Sequence, residues 1–204
     1  MKKQQQTSTM SKFSKKWVSQ LKTASQSSLI KSSLESTSLT PAAVLLPFLA
    51  REEDVTLVLT RRSQELPTHK GEIALPGGKM AKADKSVIET ALRETHEEIG
   101  IGPEQIAIQG QLSPHQTGTG FLITPITALV TPPYHFQKQV SEVEEIFEVP
   151  LTHICDLNNY HQQSAWFAGK KREFWVLPYK NYKIWGATAA ILIDLAERLS
   201  KAQS

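Results

Sequence analysis

The sequence predicts an α/β sandwich of the α+β kind, in which short neighbouring strands pack with helices, rather than a doubly wound parallel sheet. Two observations carry this. Apolar and β-branched runs of strand length recur between Gly-, Pro- or acid-rich breaks, and two of them are separated only by an acidic turn. Among and after these strands stand two helical segments, the first stopped by Gly100 and the second with an apolar face.

In chain order, residues 1–11 (MKKQQQTSTMS) are polar and low in complexity, the composition of a disordered tail. Phe13, Trp17 and Leu21 recur every four residues and predict a short amphipathic helix. Such a basic helix can dock on the domain or touch a membrane surface. Residues 24–40, rich in Ser and Thr, read as a linker, so the expected division is a basic tail over 1–40 and a folded domain over 41–204.

Ala42–Leu49 and Val55–Arg61 are β-type runs flanking the turn Glu52-Glu53-Asp54. Ile73–Leu75 predicts a short strand broken by Pro76-Gly77-Gly78. A helix follows over Lys85–Ile99, stopped by Gly100 with Pro103 just beyond. Ile106–Leu112 and Phe121–Val130 are strands joined by the polar SPHQTGTG segment. Val140–Val149, ended by Pro150, and Phe174–Leu177 complete the strands. A terminal helix over Gly186–Ser200 carries Ala189, Leu192, Ala196 and Leu199 on one face.

Composition narrows the function. The chain's 40% hydrophobic and 21% charged content is ordinary for a globular protein. Its net charge of +3 is unevenly placed: residues 1–36 hold seven lysines and one acid, leaving the remainder at about −3. That balance argues against a nucleic-acid-binding body. The longest apolar stretch, Ala42–Ala50, is too short to span a bilayer, and no secretory signal is visible. The single cysteine, Cys155, allows no internal disulfide and fits a reducing, cytoplasmic setting.

The chemistry is concentrated on one helical turn. In Arg93-Glu94-Thr95-His96-Glu97-Glu98, residues 94, 97 and 98 share a narrow face, where like charges repel by roughly 0.2–0.5 kcal/mol per pair. Alone, such a string also describes a solvated acidic face. With a Gly-Gly turn upstream and the Gly100 stop, it points instead to a site for a hard divalent cation, Mg²⁺ or Mn²⁺. Arg93 suits a structural pair with Asp84 or Glu97, while His96 lies off the carboxylate face. Trp185 reads as a core aromatic.

The stretch from Gly78 to Ile101 resembles the Nudix box: Arg93, Glu94, Glu97, Glu98, Gly100 and Ile101 match its second half. Its spacing from Gly78 to Arg93 is one residue longer than the general box, Asp84 replaces the early Glu, and Thr95 replaces an apolar residue. The first two departures resemble the coenzyme A pyrophosphatase branch. So does Leu59–Gly78, where Leu59, Thr60, Arg62, Ser63, Leu66, His69, Gly71, Pro76, Gly77 and Gly78 fit that branch's motif, with Pro67 in place of Arg and Leu75 in place of Phe. Glu142-Val143, Glu145 and Val149-Pro150-Leu151, then Ile184-Trp185-Gly186-Ala187-Thr188-Ala189, resemble later segments of the same branch.

The resemblance implies a Nudix-type α/β/α sandwich with a mixed central sheet. It implies metal-dependent hydrolysis of the diphosphate of coenzyme A or its acyl derivatives, giving 3′,5′-ADP and (acyl-)4′-phosphopantetheine. Another nucleoside diphosphate derivative, such as ADP-ribose or NADH, and a non-catalytic nucleotide-sensing module stay open as alternatives. Glu94, Glu97 and Glu98 are the implied metal ligands. Glu97 or Glu98, or else Glu142 or Glu145, is the base that orients or deprotonates water. Arg61, Arg62, Ser63, His69 and Lys79 are the candidate substrate contacts.

Overall fold

A computed structural model describes residues 12–25, 38–167 and 169–201. Its centre is a mixed sheet. Strand β1 (Thr40–Ala50) lies parallel to β7 (Phe121–Val130), and all other pairings are antiparallel. β1 turns through Glu52–Asp54 into β2 (Val55–Arg62), but the two strands pair only over Phe48–Ala50 and then diverge. Into that opening the chain inserts β3 (Ile73–Ala74), paired with β2, and β4 (Gly77–Lys79), paired with β1. The break expected at Pro76 is therefore only a kink, after which the chain re-enters the sheet on the other strand.

Pro47 sits in the fork. The Leu45 N–H donates to Pro76 C=O at 2.8 Å, so Pro47, two residues on, presents its missing N–H to the gap between β4 and β2. A proline is tolerated in the longest strand because no ladder bond is required of it there.

Beyond β7 lie β5 (Ile106–Gln111) and the two-residue β6 (His115–Gln116); beyond β2 lies β8 (Val143–Pro150). The strand expected from Val140 starts three residues later, because Gln139 accepts backbone hydrogen bonds from Glu142 (2.9 Å) and Val143 (2.8 Å) in a tight turn. Residues 151–167, unassigned from sequence, form the short helix α3 (Leu151–Cys155) and β9 (His161–Phe167). The run expected at Phe174–Leu177 is the middle of a longer β10 (Lys170–Tyr179), which pairs with β9 and with β11 (Tyr182–Trp185) in a second, three-stranded sheet.

Alternation along β1 builds the layers. Leu46 and Phe48 enter a cluster with α3 and the terminal helix α4 (Gly186–Lys201), while Ala43, Leu45 and Leu49 face the helix α2 (Val87–Ile99). The helix expected around Phe13, Trp17 and Leu21 is α1 (Lys12–Ala24). Its Trp17 and Leu21 are buried with Leu192, Leu195 and Leu199 in the larger cluster, so its apolar face docks on the domain. Ser25 continues the attachment, with Gln111 N–H donating to its carbonyl at 3.3 Å and Thr127 Oγ1 to its hydroxyl at 2.7 Å. The rest of the expected tail and linker, 1–11 and 26–37, lies outside the described residues. Among the described residues no helix is long and apolar enough to cross a membrane.

Candidate active site

α2 presents the carboxylate turn, and its ends set its position. Ser86 caps the N-terminus, accepting from Glu89 N–H at 3.1 Å. Gly100 closes the other end at φ 74, donating to His96 C=O at 3.0 Å. Thr95, which replaces the apolar residue usual in the motif it resembles, is fully buried and donates its hydroxyl to Ala91 C=O at 2.7 Å, so the polar atom is satisfied within the helix. The segment after β7 reaches over the C-terminal end, with Gln137 and Gln139 donating to Ile99 and Glu98 carbonyls at 2.9 and 3.0 Å.

Arg93 organises the turn. Its Nε and Nη2 fork onto both Asp84 oxygens at 3.0 and 2.9 Å, while Nη1 reaches Glu94 at 2.8 Å and Glu97 at 3.0 Å. Both partners foreseen for Arg93 are thus engaged. Asp84 also accepts from Ala81 N–H and Thr90 Oγ1, and the Arg93 fork holds its carboxyl well below the usual carboxylate range. This knot fastens the loop between β4 and α2 to the helix.

Glu98 is buried, with Gly77 N–H at 3.3 Å and Arg62 Nη1 at 3.9 Å. Burial pushes its carboxyl up to about 8, against the pull of Arg62; the charges of Glu94 and Glu142 push the same way. Glu94 is also raised, again mainly by burial, with Arg93 opposing and Glu97 and Glu142 adding to the shift. Among the described residues no three His, Cys, Asp or Glu side chains converge on one point, and Glu94 and Glu97 are each paired with Arg93. The donor set nonetheless fits a hard divalent cation. Three carboxylates share one turn, and Glu98 is a buried acid whose contacts are too long to compensate its charge.

A family model for the NUDIX domain matches residues 39–168, spanning the forked strands, the carboxylate turn and β8. The chain belongs to the Nudix hydrolase family. It is 40% identical over 155 residues to the Nudix hydrolase NudL of Enterobacter sp. strain 638, covering 76% of this chain and 80% of that one. It is 41% identical over 159 residues to NudL of Yersinia enterocolitica, covering 78% and 81%. Among solved structures it resembles the MutT protein of Methanosarcina mazei Go1 (TM-score 0.51, 21% identity, 81% of this chain and 95% of that one). A MutT/nudix family protein of Enterococcus faecalis gives the same TM-score, 0.51, at 16% identity, with 82% and 64% covered. These structural likenesses concern the fold, a mixed sheet between helices. Nudix hydrolases act on diphosphate bonds and generally use divalent metals.

Around the Nudix turn the remaining candidates divide by strand alternation. Arg62 faces α2 and Glu98, whereas Arg61 faces the opposite side, 3.5 Å from Glu145 and over the Tyr182 ring at 5.1 Å. Glu145 accepts the Tyr182 hydroxyl at 2.7 Å, and Tyr182 stacks on Phe147 with centroids 3.7 Å apart. The structure therefore brings Arg62 to the carboxylate side, where the charge of Glu142 also acts on Glu94 and Glu98, and groups Arg61 with Glu145 away from it. A β-bulge between Arg61 and Arg62 accompanies the division: Arg61 pairs with Glu145, but Arg62 with Val143.

Ser63 is buried, donates its N–H to Glu142 C=O at 2.8 Å and caps Glu65 N–H with its hydroxyl at 3.2 Å. His69 stands exposed at φ 57, with Nδ1 3.0 Å from Glu72. Lys79 ends β4 with an exposed side chain and its carbonyl 3.4 Å from Arg93 Nη2. Tyr182 was missed from sequence, where nothing marks a tyrosine that will meet a glutamate 37 residues earlier.

Proposed function

We propose that this Nudix hydrolase cleaves the diphosphate of coenzyme A or its acyl derivatives, releasing 3′,5′-ADP and (acyl-)4′-phosphopantetheine. The observation that supports this reading is the packing of the Leu59–Gly78 motif against the Nudix turn. Its two ends, Arg62 and Gly77 N–H, meet at one carboxyl, that of Glu98. A motif that selects a coenzyme A-like diphosphate is then continuous with the groups that cleave it.

In this reading residues 41–204 form the hydrolase domain, and Glu94, Glu97 and Glu98 hold one or more Mg²⁺ or Mn²⁺ ions. Bound there, the ions supply charge neutralisation and an activated water. The chain's own residues do the rest. Arg62, the cation beside Glu98, would pair with the diphosphate. Lys79 adds a flexible cation at the end of β4, while Ser63 and His69 line the approach along the loop after β2. Asp84 and Arg93 keep the turn aimed. The proton of the attacking water goes to Glu97 or Glu98, or to Glu142, whose charge the cluster already feels. Glu145, committed to Tyr182 and Arg61, supports the strand from behind.

Pro67 and Leu75 stand where the coenzyme A branch carries Arg and Phe, which favours a second reading: a Nudix hydrolase of ADP-ribose or NADH. Purified protein with Mg²⁺ or Mn²⁺ is assayed against coenzyme A, ADP-ribose, NADH and nucleoside triphosphates. Turnover of coenzyme A, lost in Glu98→Gln, is the expected result. Turnover of ADP-ribose alone moves the assignment to the second reading, and no turnover of any substrate, with Glu98→Gln indistinguishable from wild type, overturns the enzyme assignment.

A further inference from the structure

The outer edge of β8 is open. Arg62 N–H donates to Glu72 C=O on the side of β3, so by alternation Leu59 and Arg61 face β8 and bond to their partners Phe147 and Glu145. The peptide groups of Glu144, Ile146 and Glu148 consequently point away from the sheet. Lys138 Nζ takes the Glu144 carbonyl at 2.6 Å, and among the described residues no strand pairs with those of Ile146 and Glu148. A cavity of about 280 Å³ runs along this edge.

The walls of the cavity are aromatic: Phe136, Phe147, Tyr179 and Tyr182. Two charged residues also line it, and they differ. Glu148 is already engaged, with Arg51 bonded to both of its oxygens and Thr56 Oγ1 at 2.6 Å. Lys180 opens the two-residue turn between β10 and β11 at φ 51, a conformation that favours glycine. Its ammonium lies 5.1 Å from the centroid of the Tyr179 ring. The hairpin turn calls for positive φ at this position, and it fixes the lysine where its side chain lines the cavity. The same cavity shares a wall with the Nudix turn, since the segment from Phe136 to Gln139 is bonded to the last carbonyls of α2.

We propose that this groove is a nucleobase site for a phosphate-bearing nucleotide. The outward N–H and C=O of the strand edge offer a donor and an acceptor to the edge of a base. Phe136, Tyr179 and the stacked pair Phe147–Tyr182 give the base apolar walls to pack against, and Lys180 takes the phosphate. The volume suits a base and its ribose rather than a whole dinucleotide. The choice of a nucleotide rests on the proposed reaction; its source is the nucleoside end of the substrate or a free nucleotide.

The full-length protein, free of divalent cations, is titrated calorimetrically with AMP, adenosine and inorganic phosphate. Lys180→Gly is the informative variant, because glycine suits the backbone and removes the cation while keeping or raising the melting temperature. It is expected to bind AMP about tenfold more weakly than wild type and adenosine equally well, the loss of one charge-assisted contact. Tyr179→Leu is expected to weaken both. Wild-type affinity for AMP in both variants, or no AMP binding by the wild type, overturns the site.

Under turnover conditions, a raised KM at unchanged kcat in Lys180→Gly assigns the groove to the substrate's own nucleoside. An unchanged KM alongside lost AMP binding assigns it to a free nucleotide. Both outcomes retain the site. AMP binding is read without metal or turnover, so failure to hydrolyse coenzyme A leaves this result standing.

Discussion

The carboxylate of Glu94 rests against the Cα of Gly78, and a Cβ built on that glycine would stand 2.6 Å from Glu94 Cδ. The neighbouring Gly77 is tight for a different reason: its Cβ would lie 2.3 Å from the backbone carbonyl oxygen of Ala43. The two glycines therefore fail differently. Gly78→Ala meets the end of a flexible side chain, so the fold persists while Glu94 is displaced, and kcat is expected to fall about a hundredfold. Gly77→Ala meets backbone that cannot move aside, and should cost roughly 1–3 kcal/mol in denaturant unfolding.

Glu98 makes the metal-free protein sensitive to pH. Its carboxyl is raised from 4.5 to about 8, so the folded chain binds this proton more tightly than the unfolded chain does. The associated stability is present at low pH and is lost as pH rises towards about 8. Denaturation midpoints of the metal-free protein should fall across that range, and Glu98→Gln should remove the slope. Affinity for Mn²⁺ should rise over the same interval, because the ligand must be deprotonated to bind.

Their surroundings separate the two distal candidates for the base: the charge of Glu142 acts on Glu94 and Glu98, whereas Glu145 is held by Tyr182 and Arg61. Glu142→Gln is expected to lower kcat by about ten- to a hundredfold and to shift the acid limb of the pH–rate profile. Glu145→Gln breaks a partly exposed pair with Arg61 and a hydrogen bond from Tyr182. It should leave kcat nearly unchanged and cost about 1 kcal/mol of stability. Equal losses of kcat in the two variants would contradict this division.

Arg93→Lys keeps the charge but removes the fork that spans both oxygens of Asp84. A lower melting temperature and a lower kcat are expected together, since the same guanidinium ties the loop after β4 to the helix and restrains Glu94 and Glu97. Thermal melts and steady-state rates on the same preparation test whether both move.

Leu21 is fully buried, although it lies in a segment whose composition reads as a tail. Leu21→Ala should destabilise the protein by about 2–5 kcal/mol, the range for a buried leucine. A change below about 0.5 kcal/mol, the level of a surface substitution, would show that α1 is not part of the cooperative unit.

Much of the site was legible because it is local. Glu94, Glu97 and Glu98 fall on one face by helical geometry alone, the Gly100 stop is a matter of one residue's backbone freedom, and the pairing of Arg93 with Asp84 and Glu97 spans a single loop and turn. The strands that read poorly were those whose partners are distant or whose lengths are small. β4 is three residues across a glycine pair, β6 is two, and β9 is a polar strand with no apolar alternation to announce it. The helix α1 was visible, but its depth of burial was not, since that depends on the cluster of α4 residues it meets.

From the sequence alone come the carboxylate turn, its glycine-rich approach and the motif leading to it, because each depends on spacing within a few turns or residues. Only the tertiary structure decides that Arg62 meets the cluster and Arg61 does not, that Glu142 shares its field while Glu145 binds Tyr182, and that Lys180 stands over an open strand edge. The separation of Arg61 and Glu145 from Arg62 depends on the register of β2 against β8, strands about 80 residues apart, and on a bulge between Arg61 and Arg62, while the position of Lys180 depends on the turn between β10 and β11. A one-residue slip would exchange the faces, and the packing of both layers against the sheet settles which face is which.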